Sequence, residues 1–166
     1  AILDGFTVTG GNASVEGGDC AGARCGGGML NIGGSPTVTN VTFSGNHAFR
    51  AGGGMYNGIN NSTASRPRVT NVIFSNNTAD TGGGMENDYS NPSLVNIVFS
   101  GNHADQGGAV YNFGNPPSDT PTTFTNATFN GNSANQGGAV YNVNSRVAIG
   151  NSILWGDSAP NNSEIF

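Results

Sequence analysis

The sequence predicts an all-β fold, a right-handed parallel β-helix (solenoid) of about six rungs of 25–30 residues. Three observations carry this: two alternating phrases, one fixed interval between them, and apolar columns that keep their phase. The first phrase is GGGMLN (26–31), GGGMYN (52–57), GGGMEN (82–87) and GGAVYN (107–112 and 137–142). The second is NVTFSGN (40–46), NVIFSNN (71–77), NIVFSGN (96–102), NATFNGN (126–132) and a degraded NSILWGD (151–157).

The asparagines serve as rulers. Asn40 to Asn57 spans 17 residues, and Asn71–Asn87, Asn96–Asn112 and Asn126–Asn142 span 16 each. The complementary intervals alternate between 9 and 14. One segment is held constant while the other takes the insertions, as expected of a stacked coil with loops on one edge. The single domain 1–166 divides into rungs at about 1–25, 26–51, 52–81, 82–106, 107–136 and 137–166.

Phase assigns the strands. Val38, Val69, Leu94, Phe124 and Ile149 stand two residues before the corner asparagine, and Phe43, Phe74, Phe99, Phe129 and Leu154 stand three after it. Inward side chains recur every second residue within a strand. The apolar parity flips at the asparagine, so the chain turns a corner there. Asparagine tolerates left-handed backbone angles, and stacked corners would let its amides form a ladder. In the glycine phrase, Met29, Met55, Met85, Val110 and Val140 form one column. Leu30, Tyr56, Glu86, Tyr111 and Tyr141 form the next, and its glutamate marks that column as outward-facing. Ala48, Ala79, Ala104 and Ala134 form a small-residue column beside the following corner. Identical columns at rung spacing are hard to reconcile with the antiparallel hairpins of a sandwich or propeller.

Composition narrows the function. Only 9% of residues are charged, against about 25% in ordinary soluble domains. The five cations are all arginine and the net charge is −5, which argues against nucleic acid or an anionic membrane as partner. No apolar run reaches the roughly 20 residues of a membrane span. The chain opens without a signal peptide and reads as a mature product or an excised piece. Cys20 and Cys25 lie close together in a Gly-rich loop, either as a disulfide if the protein is secreted or as two free thiols.

The alternation of GGAV-type and F-x-x-N motifs (Phe43–Asn46, Phe74–Asn77, Phe99–Asn102, Phe129–Asn132) resembles the repeats of bacterial polymorphic outer-membrane proteins. It is also similar to the wider class of secreted bacterial β-helix repeat proteins. The resemblance covers about residues 26–157 and includes the opening ILDGFTVTGG (2–11). It implies an exported or cell-surface protein, adhesive or structural, and not an enzyme. The chain shows neither the autotransporter barrel nor an anchor, so the mode of surface attachment stays open.

Candidate sites follow from this frame. No catalytic residues are assigned: a lyase needs a cationic base, which the scattered arginines do not supply, and Glu86 and Asp88 read as solvated surface carboxylates. No cofactor is expected unless calcium binds Asp80 and Asp105, stacked carboxylates about 5 Å apart that a hard cation would relieve. Tyr56, Tyr111 and Tyr141 form an aromatic face for a sugar ring or a partner protein. The insertions 58–66 and 113–121 emerge on one edge and, with the 12–25 loop, could line a shallow ligand site. Solenoids normally need polar caps. Here Ala1, Ile2 and Leu3 at one end and Glu164, Ile165 and Phe166 at the other are strand-like. The expectation is a secreted structural solenoid whose partner is itself, stacked head-to-tail into extracellular fibres. The alternative is a cell-surface adhesin or glycan-binding segment using the Tyr column and edge loops; a polysaccharide-active enzyme is the third choice.

Overall fold

A computed structural model describes the chain except for residues 16–18, 21–23, 115–119, 162, 163 and 166. The expected Phe166 end therefore lies outside the described residues. The chain winds through β1 (Ile2–Asp4), β2 (Thr7–Thr9) and β3 (Asn12–Ala13), then β4 (Met29–Ile32), β5 (Thr37–Thr39), β6 (Thr42–Ser44) and β7 (His47–Ala48). It continues through β8 (Met55–Gly58), β9 (Arg68–Ser75), β10 (Met85–Asp88) and β11 (Ser93–Ser100). The last five are β12 (Val110–Phe113), β13 (Thr122–Asn130), β14 (Val140–Val143), β15 (Val147–Gly150) and β16 (Ile153–Trp155).

Every strand pairing is parallel, each strand lying on its counterpart one turn later, so the fold is the right-handed parallel β-helix that the columns predict. The larger sheet runs β1-β5-β9-β11-β13-β15, with β2, β6 and β16 beside it; a second runs β14-β12-β10-β8-β4, and β3 pairs β7. The registers reproduce the sequence columns. Val38, Val69, Leu94, Phe124 and Ile149 are successive partners, as are Met29, Met55, Met85, Val110 and Val140.

The interior is a stack of side chains. Phe43, Phe74, Phe99 and Phe129 are fully buried, and their rings lie within 10° of parallel at successive centroid distances of 5.1, 4.9 and 5.1 Å. Phe124 meets Phe99 and Phe129 edge-on. Each such ring contributes roughly 1.5–3 kcal/mol through burial, and the Met/Val column closes the opposite wall. Where the chain enters the second sheet, Gly82 has φ 60 and a Cβ there would stand 2.3 Å from the Met85 carbonyl oxygen, so glycine opens each phrase of that sheet.

The corners also follow the expectation. Asn40, Asn71, Asn96, Asn126 and Asn151 have φ of 53, 56, 56, 56 and 50°. Their amides run as an exposed ladder in which Asn126 donates to Asn96, Asn96 to Asn71, Asn71 to Asn40 and Asn40 to Asp4. Two further ladders are buried. One passes from Asn31 through Asn57, Asn87 and Asn112 to Asn142. The other passes from Asn46 through Asn77, Asn102 and Asn132 to Asp157. Their amides have no water to fall back on, so the ladder is their hydrogen-bond satisfaction.

One expectation needs correcting. The Leu30/Tyr56/Glu86/Tyr111/Tyr141 column does lie on the outer side of its sheet, opposite in parity to the Met/Val column. Apart from Leu30, which is exposed, it is not a solvated face. Tyr56 is 4%, Glu86 7% and Tyr141 9% exposed, and Tyr111 is half-buried. The cause is cover from outside the repeat, contributed by loops and by the tyrosines themselves.

Candidate ligand-binding cleft

The cover over β8, β10 and β12 is incomplete, and what it leaves is a cleft. Tyr56, Cys25 and Ala51 form a small apolar cluster apart from the main core, with Cys20 and Ile32 packed against it. Cys20 and Cys25 are joined as a disulfide at this cluster. The 58–66 loop is held from below, where the buried Ser65 hydroxyl donates to the Gly58 carbonyl at 2.6 Å. Its tip closes in a tight turn at Asn61 and Ser62, with φ of 45 and 79° and the Thr63 amide donating to the Asn60 carbonyl at 2.8 Å.

Gly58 is what lets the floor form. A Cβ at Gly58 would lie 2.6 Å from Tyr56 Cε1 and 3.0 Å from its hydroxyl. With no side chain there, the Tyr56 ring crosses the position, and its hydroxyl donates to Asp88 Oδ2 at 2.8 Å. Glu86 precedes Asp88 by two residues on β10, so both carboxyls leave the same face. The Glu86 carboxyl makes a short hydrogen bond with the Thr81 hydroxyl.

Two cavities result, of about 370 and 380 Å³, sharing Arg50, Glu86 and Asp88. The first adds Asp19, Ile32, Tyr56, Asn60 and Asn61; the second adds Asp80, Thr81, Tyr111 and Phe113. The Tyr111 ring stacks on Tyr141 at 5.5 Å, and Phe113 is met edge-on by Tyr89. Burial dominates the electrostatics. It pushes Glu86 up to about 8, with the neighbouring Asp88 adding to the rise, while the Thr81 hydrogen bond and Arg50 oppose it. Burial, then Asp88, also raises the Tyr56 phenol above its usual range, and burial raises Tyr111.

From the three loops expected to line a site, Asp19 and Cys20, then Ile59, Asn60 and Asn61, and finally Phe113 line these cavities. Glu86 and Asp88 are not a pair of solvated carboxylates, because one is buried and the other accepts a phenol. Of the tyrosine face, Tyr111 reaches the cleft as wall, Tyr56 as floor, and Tyr141 as support behind Tyr111. Neither Arg50 nor Thr81 was singled out from the sequence; both belong to the variable stretch before the glycine phrase, where the residue type changes from turn to turn.

Asp80, which also lines the second cavity, shares with Asp105 a groove of about 460 Å³ along the next corner, with Gln106, Asn135 and Gln136. The Asn135 amide donates to Asp105 Oδ1 at 3.1 Å, and Gln106 donates to Gln136 at 3.0 Å. Among the described residues no three His, Cys, Asp or Glu side chains converge as a metal site. At the ends, β1 pairs with β5, while Ile165 bridges to Val140 and the Glu164 carbonyl accepts the Ala139 and Val140 amides.

Fold and cleft together define a β-solenoid with a loop-walled recess on one sheet. Within it, residues 96–112 and 126–143 match the Chlamydia polymorphic membrane protein (Chlamydia_PMP) repeat. Each matched stretch starts at a left-handed corner asparagine and carries the stacked phenylalanine and the buried ladder asparagine. Each runs through the glycine phrase to β12 or β14. The repeat is that of a surface-associated outer-membrane protein family, in keeping with the resemblance read from the GGAV and F-x-x-N motifs. No curated protein and no solved structure matches the chain.

Proposed function

We propose that this chain is a cell-surface β-solenoid that acts by recognition rather than catalysis, holding a glycan in the cleft over β8, β10 and β12. The observation that carries this is the convergence of loops from separate turns on one mixed lining. Ile32, Tyr111 and Phe113 supply apolar walls, and Arg50, Asp88 and Asn60 supply oriented polar groups. Ligand sites combine these two kinds of surface in cavities of roughly 300–1,000 Å³. The Cys20–Cys25 disulfide and the matched repeat both support an extracellular setting. The test is saturable binding of the purified chain to an array of surface saccharides. Tyr111→Ala is expected to weaken it at least about tenfold, the equivalent of roughly 1.4 kcal/mol. Binding indifferent to Tyr111→Ala overturns the assignment to this cleft.

A second reading, end-to-end stacking into fibres, draws on a different observation. Leu3 and Val8 on the first turn, and Ile149 and Leu154 on the last, stay only partly buried against a core whose mid-stack members are fully buried. Another turn of coil would cover them, whether supplied by the same chain or by another copy. Electron microscopy across a concentration series tests it: rods that lengthen with concentration support stacking, and short particles throughout remove it.

A further inference from the structure

The ligand's class and its control follow from the burial of Glu86 in the cleft, an inference that rests on the recognition reading above. Glu86 Oε2 accepts from the Thr81 hydroxyl, and the Arg50 carbonyl accepts the Thr81 N–H at 2.8 Å. The surroundings favour the acid form, with the proton on the other carboxyl oxygen. Glu86 is almost fully buried, Asp88 stands beside it on the same strand, and Tyr56 and Tyr111 flank it on β8 and β12 with phenols that stay neutral. Asp80 lines the same cavity, and Arg50 is the cation facing the group.

We propose that the cleft binds a neutral saccharide while Glu86 is in its acid form, and that loss of the Glu86 proton releases it. A protonated carboxyl beside a hydroxyl gives a sugar both donors and acceptors without net charge. Asp88, Asp80 and Asp19 oppose sulfated or carboxylated glycans, and Arg50, shared by both cavities, opposes an ammonium group. Once Glu86 ionises, its own donor to the sugar is gone. Two adjacent carboxylates then compete for Arg50, and the polar pattern presented to the sugar is lost. With Glu86 pushed up to about 8, this change falls just above neutral pH.

The experiment measures binding of yeast mannan, chitosan and heparin, as neutral, amino and sulfated probes, together with a printed array of neutral oligosaccharides. Each is run between about pH 6 and pH 9 with wild type and Glu86→Gln. A neutral saccharide is expected to bind at the acid end and to weaken about tenfold by the alkaline end, as a ligand specific for one protonation state must. Glu86→Gln, whose amide keeps the donor and cannot ionise, is expected to bind at pH 9 where wild type has let go. Carbon-13 NMR of the Glu86 carboxyl in the ligand-free protein gives the titration directly, with a midpoint near 8 expected. Preference for heparin or chitosan overturns the class. A pH-flat neutral-sugar affinity, or a Glu86 midpoint in the ordinary glutamate range, overturns the proton control and leaves the recognition reading standing. Failure to bind any saccharide overturns both.

Discussion

The exposed corner ladder and the buried ladder behind the phenylalanine stack are built from the same residue at nearly the same spacing. In the exposed one, Asn126, Asn96, Asn71 and Asn40 pass hydrogen bonds of 2.9–3.2 Å towards Asp4. In the buried one, Asn46, Asn77, Asn102 and Asn132 pass bonds of 2.7–3.0 Å towards Asp157. The two run in opposite directions along the stack, and each ends on an aspartate, which accepts without needing to donate onward. The difference lies in how many partners each amide has. A buried asparagine such as Asn102 takes the Asn77 backbone and side-chain N–H on its oxygen, and gives its own amide protons to Asn132 and to the Phe74 carbonyl. An exposed one shares its work with water, and what makes it asparagine is first of all the left-handed φ. Identical spacing thus carries two different energies, decided by solvent.

Breaking the buried ladder at its centre gives the largest expected effect. Asn102→Ala leaves the Asn77 donors, the Phe74 carbonyl and one Asn132 acceptor unmet. At about 1–3 kcal/mol for each buried group left without a partner, the expected loss is at least about 3 kcal/mol. Urea unfolding followed by circular dichroism measures it. A loss below about 1 kcal/mol would mean that water replaces the amide.

Asp157 sharpens the comparison because it sits where an asparagine would. In Asn77, Asn102 and Asn132 the amide nitrogen donates to the carbonyl of Phe43, Phe74 and Phe99. The corresponding atom in Asp157 is a buried oxygen, Oδ2, which cannot donate to such a carbonyl. Burial raises the Asp157 carboxyl above the usual aspartate range against the Asn132 hydrogen bonds, and Glu164, the neighbouring acid, is raised by burial and by Asp157. A folded value above the unfolded one means that the stabilisation is complete below the ordinary aspartate pKa of about 3.9. It is lost as pH rises through the folded value. Asp157→Asn is therefore expected to stabilise by about 1 kcal/mol near neutral pH and to flatten the decline above the ordinary aspartate pKa. Thermal melts across that range show it, and an unchanged slope would place the titration elsewhere.

The smallest effects belong to the corner. Asn71→Gly keeps the φ of 56° available and removes only two solvent-shared hydrogen bonds, so a change within about 0.5 kcal/mol is expected. Asn71→Ala also forces an alanine into the left-handed region, costing roughly 1–2 kcal/mol. If the two variants unfold at the same denaturant concentration, the corner is held by its ladder rather than by its backbone angle.

Much of this was legible because the columns repeat. Met29 through Val140 and Phe43 through Leu154 announce their partners by position, and Asn40, Asn71, Asn96 and Asn126 announce a corner by the change of parity. The buried ladder was present as the last letter of F-x-x-N. Its signal was invariance: Asn46, Asn77, Asn102 and Asn132 never become serine or threonine, as the neighbouring His47, Thr78, His103 and Ser133 column freely does. Glu86 misled because one acid among tyrosines looks like the mark of a wet face. It shares a cavity with Asp19, Cys20, Asn60 and Asn61, and nothing in the repeat encodes those loop residues.

The alternation of ladder steps, 31, 25, 30 and 25 residues from Asn46 to Asp157, has a consequence for how such a molecule changes over generations. Each storey offers the one above it the same ring, the same amide and the same backbone register. Recombination between two storeys can therefore add or delete one without creating a foreign junction. Copying a single storey lengthens the rod. Copying a long and a short storey together also copies a long loop on the same side, so pairs are the unit in which new recesses along the rod can arise.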